Sequence, residues 1–316
     1  MGNAETVPVD KWSLSDMPDQ AGKTHLVTGC TLGGLGHYTA LELARRGARV
    51  VLGGRNPEKL SETEDAIRAQ VPHAELVRLE LDLADLGSVR KAAAHVATLG
   101  PVDVLVNNAG VMAPPYSRTG DGLELQMATN HFGPFLLTGL MLPELVSTGA
   151  GRVVTVSSQM HRTARRPPLD DPRSQERRYS KWPVYGQTKL ANLLFTYELD
   201  RRLREAELPV KALAAHPGFA GTHLAANGRF GRASGGVASI LDAAVKVISQ
   251  PAHMGALPTL MAATADLPGA TYCGPSGFHE YGGLPVVVRS SRLSRDEDVQ
   301  RQLWELSERT TGINYP

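Results

Sequence analysis

The sequence has few cysteines, few aromatic residues and no long apolar run. Its two cysteines, Cys30 and Cys273, among 316 residues are too few for a disulfide framework, and they are typical of reduced structural thiols. No run of 18 apolar residues predicts a membrane span, and the polar residues 1–20 lack the apolar core of a signal peptide. We therefore expect a soluble, cytoplasmic protein.

The chain also lacks an excess of positive or negative charge. The chain has 33 Lys and Arg against 32 Asp and Glu, a formal net charge of +1. There is no basic excess to indicate nucleic-acid binding and no acidic excess to indicate disorder. Its ten histidines include no His-x-x-x-His pair and its cysteines no Cys-x-x-Cys pair, so no metal site is predicted. A small molecule is the expected partner.

From residue 24 onward, strand-like and helix-like segments alternate. This alternation predicts an α/β fold with a doubly wound, parallel sheet of the Rossmann type. We expect a leader at 1–20 and a single domain at 21–316, with a small C-terminal substrate lid at about 219–265. The predicted strands are 24–28, 48–52, 75–81, 102–106, 152–156, 210–215 and 271–272; the predicted helices are 38–46, 57–70, 86–99, 122–145, 184–207, 236–249, 254–265 and 295–310.

A glycine-rich stretch separates the first predicted strand from the first helix. It reads Gly29-Cys-Thr-Leu-Gly-Gly-Leu-Gly36. Glycines in this position let the backbone approach a pyrophosphate, and the helix that follows offers unpaired N–H groups. The stretch therefore predicts a dinucleotide site, with contacts from Gly29, Thr31, Gly33, Gly34 and Leu35.

The end of the second strand bears on the choice of cofactor. Gly53, Gly54 and Arg55 stand there, so no carboxylate is available for a ribose 2′-hydroxyl, whereas Arg55 could pair with a 2′-phosphate. This favours NADP over NAD, which stays open as the alternative. The other interpretation of Arg55 is a solvated arginine before a helix that starts at Pro57.

Tyr185 and Lys189 lie four residues apart near the start of the predicted helix 184–207. At this spacing the phenol and the ammonium share one helix face. A free phenol has a pKa of about 10, and we expect Lys189 and the positive end of the helix dipole to lower it. The pair predicts a proton-transfer site.

Polar residues follow several predicted strands at what would be one edge of the sheet. Asp82 and Leu83 follow the third strand, Asn108-Ala109-Gly110 the fourth, and Ser157-Ser158 the fifth. Open α/β sheets bind ligands at the carboxyl ends of their strands. Asn130, within the predicted helix 122–145, also calls for a reason, because its amide competes with the backbone.

Taken together, these residues resemble the short-chain dehydrogenase/reductase family, in the branch similar to retinol dehydrogenases and WW-domain oxidoreductases. The resemblance covers nearly all of the chain from Trp12 to Ile313. A glycine-rich Thr-Gly turn, Asn-Asn-Ala-Gly, Ser, Tyr-x-x-x-Lys and Pro-Gly occur here in the family's order.

The resemblance implies a role for each catalytic candidate. Tyr185 would be the general acid or base, and Lys189 would lower its pKa, bind the nicotinamide ribose and pass protons outward. Ser158 would hold the substrate oxygen. Asn130 would position a water that links Lys189 to solvent.

The resemblance also implies the cofactor contacts and the assembly. The adenosine half would be surrounded by Arg55, Asp82, Leu83, Asn108, Ala109 and Gly110, while Pro217 and Gly218 form the Pro-Gly segment and Thr222 reaches the carboxamide. Homo-oligomers formed through two long helices are a family-level expectation. One departure is that the glycine turn, Gly29 to Gly36, is one residue longer than the family's.

The sequence thus predicts an NADP-dependent oxidoreductase that interconverts an alcohol and a carbonyl, such as a ketoreductase. The substrate is expected to be apolar and bulky, from Phe219, Leu224 and Phe230 in the predicted lid and from the family likeness. Two alternatives stay open: reduction of a carbon–carbon double bond by a similar site, and a catalytically idle cofactor-binding regulator.

Overall fold

A computed structural model describes residues 11–167, 169, 178–218 and 250–316. Within this part of the chain, eight strands form one sheet in the order β3-β2-β1-β4-β5-β6-β7-β8. Strands β1 to β7 pair in parallel, and β8 is antiparallel to β7. The strands are β1 Thr24–Thr28, β2 Arg49–Gly54, β3 Leu76–Glu80, β4 Val104–Asn107, β5 Gly151–Val156, β6 Val210–Ala215, β7 Tyr272–Pro275 and β8 Pro285–Val287. The predicted doubly wound sheet is confirmed.

Helices cover both faces of this sheet. They are α1 Leu35–Arg45, α2 Pro57–Arg68, α3 Leu86–Ala97, α4 Leu125–Met127, α5 Gly133–Ser147, α6 Lys181–Glu205, α7 Ala252–Thr264 and α8 Glu297–Thr311. Successive strand residues point to opposite faces, so Val27 of β1 packs in the core under α1, α2 and α7, while Leu26 packs in the core under α3, α5 and α6. Burial on both faces explains why the strands are continuously apolar.

The strand order determines where the predicted dinucleotide site lies on the sheet. The chain leaves β1 towards β2 and β3 on one side, then returns to place β4 on the other side of β1. Doubly wound sheets bind ligands outside the carboxyl ends of the strands, at this switch point. Gly29 follows β1 and Asn108 follows β4, so both lie at the switch point.

The region predicted as one helix at 122–145 is interrupted. The helix begins at Leu125, and a π-helical turn, Ala128–Phe132, separates α4 from α5. Pro134 has no N–H and cannot donate to the carbonyl of Asn130 four residues earlier, so the regular ladder cannot continue there. Asn130 therefore lies within this π-helical turn, just before Pro134.

Other boundaries also differ from the predictions. Helix α1 begins at Leu35, three residues before the predicted start, and α6 begins at Lys181. The strand predicted at 271–272 continues to Pro275, and β8, which was not predicted, pairs with it. The predicted helix 236–249 lies outside the described residues, as does the predicted lid apart from 250–265.

Residues 11–20, predicted as part of a leader, pack against the body of the fold. Trp12 and Met17 are 5% and 2% exposed, and the N–H of Trp12 donates to the carbonyl of Pro285 over 3.0 Å. None of the helices in the described ranges is long and apolar enough to cross a membrane.

At the other end of the chain, α8 lies across α6. Leu303 is buried with Leu190, Ala191 and Leu194 of α6. Trp304 stacks on Phe195 with 6.0 Å between ring centroids. The long helix α6 is therefore buried by the sheet on one side and by α8 on another.

Candidate active site

Ser158 and Tyr185 meet at the carboxyl end of β5. Ser158 follows β5 and begins the 3-10 turn Gln159–Thr163, and Tyr185 lies in the second turn of α6. The side chain of Ser158 lies beside the phenol of Tyr185 and acts on its pKa, and the Ser158 hydroxyl accepts from the N–H of Met160 over 3.2 Å. The two predicted oxygen donors therefore lie side by side.

The environment of Tyr185 favours its neutral form. Burial raises the pKa of Tyr185 to about 12, and the neighbouring Ser158 side chain acts in the opposite direction. The sequence-based expectation that the chain lowers this pKa is therefore wrong for the protein itself, because loss of water around the phenol outweighs the other effects. A phenol kept protonated is suited to donate a hydrogen bond.

The buried ammonium of Lys189 lies near Tyr185. The lysine is 4% exposed, donates to the carbonyl of Val156 over 3.0 Å, and lies 5.8 Å from the ring centroid of Tyr185. Burial lowers the pKa of Lys189 to about 8. An ammonium has three donors, and Val156 is its one hydrogen-bond partner among the described residues. The remaining donors could bind the hydroxyls of a ribose.

The amide of Asn130 holds the segment that follows β4. Its oxygen accepts from the N–H of Val111 over 2.8 Å, and its nitrogen donates to the carbonyl of Val111 over 2.9 Å and to the Thr188 hydroxyl over 3.0 Å. These bonds give the reason for an Asn in this helical region. The proposed role in placing a water stays a prediction.

The glycine loop and the turn after β4 are in close contact. A Cβ on Gly29 would lie 2.8 Å from Cα of Ala109, and one on Gly36 would lie 2.5 Å from the carbonyl oxygen of Gly29. Both positions therefore require glycine. The hydroxyl of Thr28, a contact that sequence reasoning missed, accepts from the N–H groups of Asn108 and Ala109 over 3.0 Å each.

The longer glycine loop closes as a compact turn. The N–H of Gly34 donates to the carbonyl of Thr31 over 2.9 Å, and Gly33 has a left-handed φ of 76°. The N–H of Gly33 donates to Nδ1 of His37 in the first turn of α1 over 3.3 Å. The additional residue is thus absorbed between Thr31 and Gly34.

The N-terminus of α1 fits a pyrophosphate. Side chains cap α2, α3 and α8, where Asn56, Asp85 and Asp296 accept backbone N–H groups. Helix α1 begins after Gly34, which has no side chain to do so. Its first N–H groups are therefore free of a competing side-chain acceptor, and no carboxylate on that residue opposes an anion.

The remaining predicted contacts lie around this edge. Arg55 follows β2 and is exposed, and Leu83 is buried. The carboxylate of Asp82 accepts from the N–H of Ala84 over 2.9 Å, as expected of a turn. Gly110 lies beside Asn130 and Lys189, since a Cβ there would be 3.1 Å and 3.6 Å from their side chains.

Pro217 and Gly218 follow β6 at the same edge, with Gly218 in a left-handed conformation at φ 67°. Thr222, the predicted carboxamide contact, lies outside the described residues.

Comparison with known proteins agrees with this arrangement. A family profile described as short chain dehydrogenase matches residues 23–167. The human protein retinol dehydrogenase 13 is 38% identical over 298 residues, which cover 93% of this chain and 86% of that protein. Mouse retinol dehydrogenase 14 is 36% identical over 305 residues, covering 92% of this chain and 86% of that protein.

Among solved structures, an uncharacterized protein from Mycobacterium paratuberculosis superimposes with a TM-score of 0.79 at 42% identity, covering 97% of this chain and 99% of that one. The shared fold and the identity thus cover most of both chains. The chain belongs to the short-chain dehydrogenase/reductase family, in the branch of the retinol dehydrogenases, and is an oxidoreductase acting on CH–OH donors.

Proposed function

We propose that this protein is an NADP-dependent oxidoreductase that interconverts an alcohol and a carbonyl on an apolar, bulky small molecule in the cytoplasm. The observation that carries the proposal is that the Ser158 side chain lies beside the Tyr185 phenol, with the ammonium of Lys189 5.8 Å from the Tyr185 ring. Two hydroxyl donors beside one cation can hold a carbonyl oxygen and supply its proton.

Both hydroxyls act on charge that grows on the substrate oxygen during reduction. They therefore stabilise the transition state more than the bound carbonyl. Tyr185 then transfers its proton to that oxygen, a step typically worth about 10²- to 10⁴-fold in rate. Lys189 stabilises the phenolate that remains. A bound nicotinamide cofactor would supply or accept the hydride.

The preference for NADP rests on the end of β2. Gly53 and Gly54 leave no carboxylate there, and Arg55 stands exposed next to them. A guanidinium pairs well with a phosphate through two parallel hydrogen bonds. NADPH is therefore expected to bind more tightly than NADH.

An apolar substrate is supported by an aromatic ring beside Tyr185. Trp182, one turn earlier on α6, meets the Tyr185 ring edge-on at 6.5 Å between centroids. Tyr179, which precedes α6, packs on Tyr116 at 5.1 Å, and Tyr116 is 41% exposed. The start of α6 is therefore rich in aromatic rings that can contact an apolar substrate.

The test combines binding with turnover. NADPH and NADH binding would be measured by fluorescence, and a panel of apolar ketones and alcohols would be screened with both cofactors. In Tyr185→Phe, turnover on any active substrate should fall by about 10²-fold or more, because the proton donor is lost. NADPH affinity should stay near that of the wild type.

Tyr197→Phe is the matched control. Tyr197 lies three turns further along α6, and its hydroxyl bonds to Ser290 over 2.9 Å, so this variant also loses one phenol hydroxyl but should keep its turnover. Retained turnover in Tyr185→Phe would contradict the role of Tyr185. Binding of neither cofactor would contradict the enzyme as a whole, and binding of both cofactors without turnover on any substrate would favour an idle cofactor-binding protein.

A further inference from the structure

A second polar cluster lies beside the site and centres on Glu280. Its carboxylate accepts a hydrogen bond from the amide of Gln159, lies 3.5 Å from the guanidinium of Arg162 and lies 2.9 Å from Nε2 of His216. We call Gln159, Arg162, His216 and Glu280 the Glu280 cluster. It joins three segments of the chain: the 3-10 turn after β5, the end of β6, and the loop 276–283 between β7 and β8.

The charge state of this cluster follows from its contacts. The N–H of Gly218 donates to Nδ1 of His216 over 3.2 Å, so the neutral ring carries its proton on Nε2, which lies 2.9 Å from the Glu280 carboxylate. Burial acts to raise the pKa of Glu280, but the nearby His216 and the charge of Arg162 hold it below its usual value. Glu280 is therefore an anion at neutral pH, with Gln159, Arg162 and His216 around it.

The backbone at Glu280 adopts a conformation that side chains disfavour. His279 and Glu280 have φ values of 48° and 59°, in the left-handed region that glycine normally occupies. The turn is closed by the N–H of Gly277, which donates to the carbonyl of Gly282 over 2.8 Å. Such strain persists where the surroundings impose it, and the contacts of the Glu280 carboxylate do so here.

One consequence concerns Ser158. Gln159 and Arg162 belong to the 3-10 turn that Ser158 begins. Through its contacts with these two side chains, Glu280 fixes the turn from the loop 276–283. His161, in the same turn, donates from Nδ1 to the carbonyl of Ser158 over 2.7 Å and accepts at Nε2 from the N–H of Ser291 over 3.1 Å. The position of the Ser158 hydroxyl therefore depends on C-terminal residues more than 100 positions away.

The other consequence concerns Gly218. Its N–H donates to His216, and the other ring nitrogen of His216 lies next to Glu280. A Cβ on Gly218 would lie 2.9 Å from the carbonyl oxygen of Glu280 and 2.7 Å from that of Tyr281. The loop 276–283 thus presses directly against the Pro217–Gly218 segment. This segment is the one assigned to the cofactor.

We propose that Glu280 is a positioning residue that fixes the turn carrying Ser158 and the Pro217–Gly218 segment relative to each other. The substrate oxygen and the reactive end of the cofactor then meet in one geometry. This inference rests on the proposed function, because it concerns the rate of that reaction. Misplacement of reacting groups by about 1 Å can cost about 10²-fold in rate.

The test replaces Glu280 by a residue that accepts its backbone conformation. In Glu280→Gly, φ near 59° costs nothing, so the loop can keep its shape while the carboxylate is lost. We expect kcat to fall by about 10- to 100-fold, with the dissociation constant of NADPH unchanged within about threefold. Glu280→Gln keeps oxygen acceptors and should recover part of this loss.

His279→Gly is the matched control, since it relieves the same left-handed backbone and leaves the cluster intact; its kcat should equal that of the wild type. Gln159→Ala should lower kcat in the same sense. Combined with Glu280→Gly, it should add less than its own effect, because both changes break one network.

The outcomes separate this inference from the proposed function. An active wild type with Glu280→Gly turning over as fast as His279→Gly would overturn the inference alone. The inference would also be overturned if Glu280→Gly lost kcat, lost NADPH affinity by the same factor and had a lower thermal midpoint. This combination would indicate a merely structural role for Glu280. A wild type that turns over no ketone or alcohol with either cofactor would overturn the proposed function, and this inference with it.

Discussion

Lys189 is a positive charge held in the interior of the protein. It is 4% exposed, and burial lowers its pKa from 10.5 to about 8. Below pH 8 it is charged in both the folded and the unfolded chain, so folding bears the full cost of its desolvation. Between pH 8 and 10.5 the folded lysine loses its proton first, and this cost declines as the pH rises.

We therefore expect Lys189→Met to be more stable than the wild type by about 1 to 3 kcal/mol at pH 7. The carbonyl of Val156 would still accept from the Asn192 amide over 3.0 Å, so it would not be left unpaired. Urea unfolding at pH 7 and 9.5 checks this expectation, and the gap should narrow at the higher pH. Lys59→Met, at an exposed position, should change stability little. A destabilised Lys189→Met would refute this account of the buried charge.

At the level of elements, a side chain of α1 and one of α2 hold the longer glycine loop: the Thr63 hydroxyl of α2 donates to the carbonyl of Cys30 over 2.9 Å, and His37 of α1 accepts from the loop. Nδ1 of His37 accepts from the N–H of Gly33 over 3.3 Å, and His37 is 4% exposed. Burial lowers the pKa of His37, so the ring stays neutral and keeps this acceptor at neutral pH. The loop is thereby held in one conformation before any ligand binds.

His37→Ala should accordingly weaken NADPH binding by about 3- to 10-fold, because the loop would have to be ordered on binding. The measurement is a fluorescence titration of each variant. His253→Ala is the control, since His253 is exposed and its ring lies 5.9 Å from that of neighbouring Tyr38. Equal affinities in the two variants would show that the loop does not need His37.

Local sequence patterns predicted the elements that rely on local chemistry. The glycine loop, Ser158 and the Tyr185–Lys189 pair lie where strand, turn and helix patterns put them. Three features could not be predicted. Strand β8 is three residues long and begins with a proline, the left-handed backbone at Glu280 has no glycine to indicate it, and the rise in the Tyr185 pKa depends on burial by distant segments.

Asn130 is intermediate between these cases. A polar amide within an apolar helical pattern indicated that the helix is unusual at this position. The π-helical turn itself depends on bonds to Val111 and Thr188, which lie 19 and 58 residues away. A local pattern could mark the position but could not name its partners.

At the scale of the whole molecule, α8 changes the expected assembly. The two long helices α5 and α6 both contact α8, and Leu303 and Trp304 are 1% and 2% exposed against them. The guanidinium of Arg202 on α6 lies over the Trp304 ring at 4.5 Å. A helix of the chain itself therefore covers part of the surface of α5 and α6.

We therefore expect a monomer at micromolar concentration, in place of the family-level expectation of homo-oligomers. Light scattering coupled to gel filtration should give a mass near 33.9 kDa. A mass of twice this value would mean that the chain associates through another face.

Trp304→Ala tests how much the packing of α8 on α5 and α6 contributes to stability. It should lower the free energy of unfolding by about 3 to 5 kcal/mol.

Since α8 leaves the ribosome about 100 residues after α6, the strip of α6 formed by Leu190, Ala191 and Leu194 lacks the cover of Leu303 until α8 has been made. The nascent chain therefore exposes an aggregation-prone apolar surface during the whole interval between the emergence of α6 and that of α8. A premature stop codon anywhere in this interval would yield a product with that surface permanently open, and such a product should aggregate or be captured by chaperones even though every catalytic side chain is present.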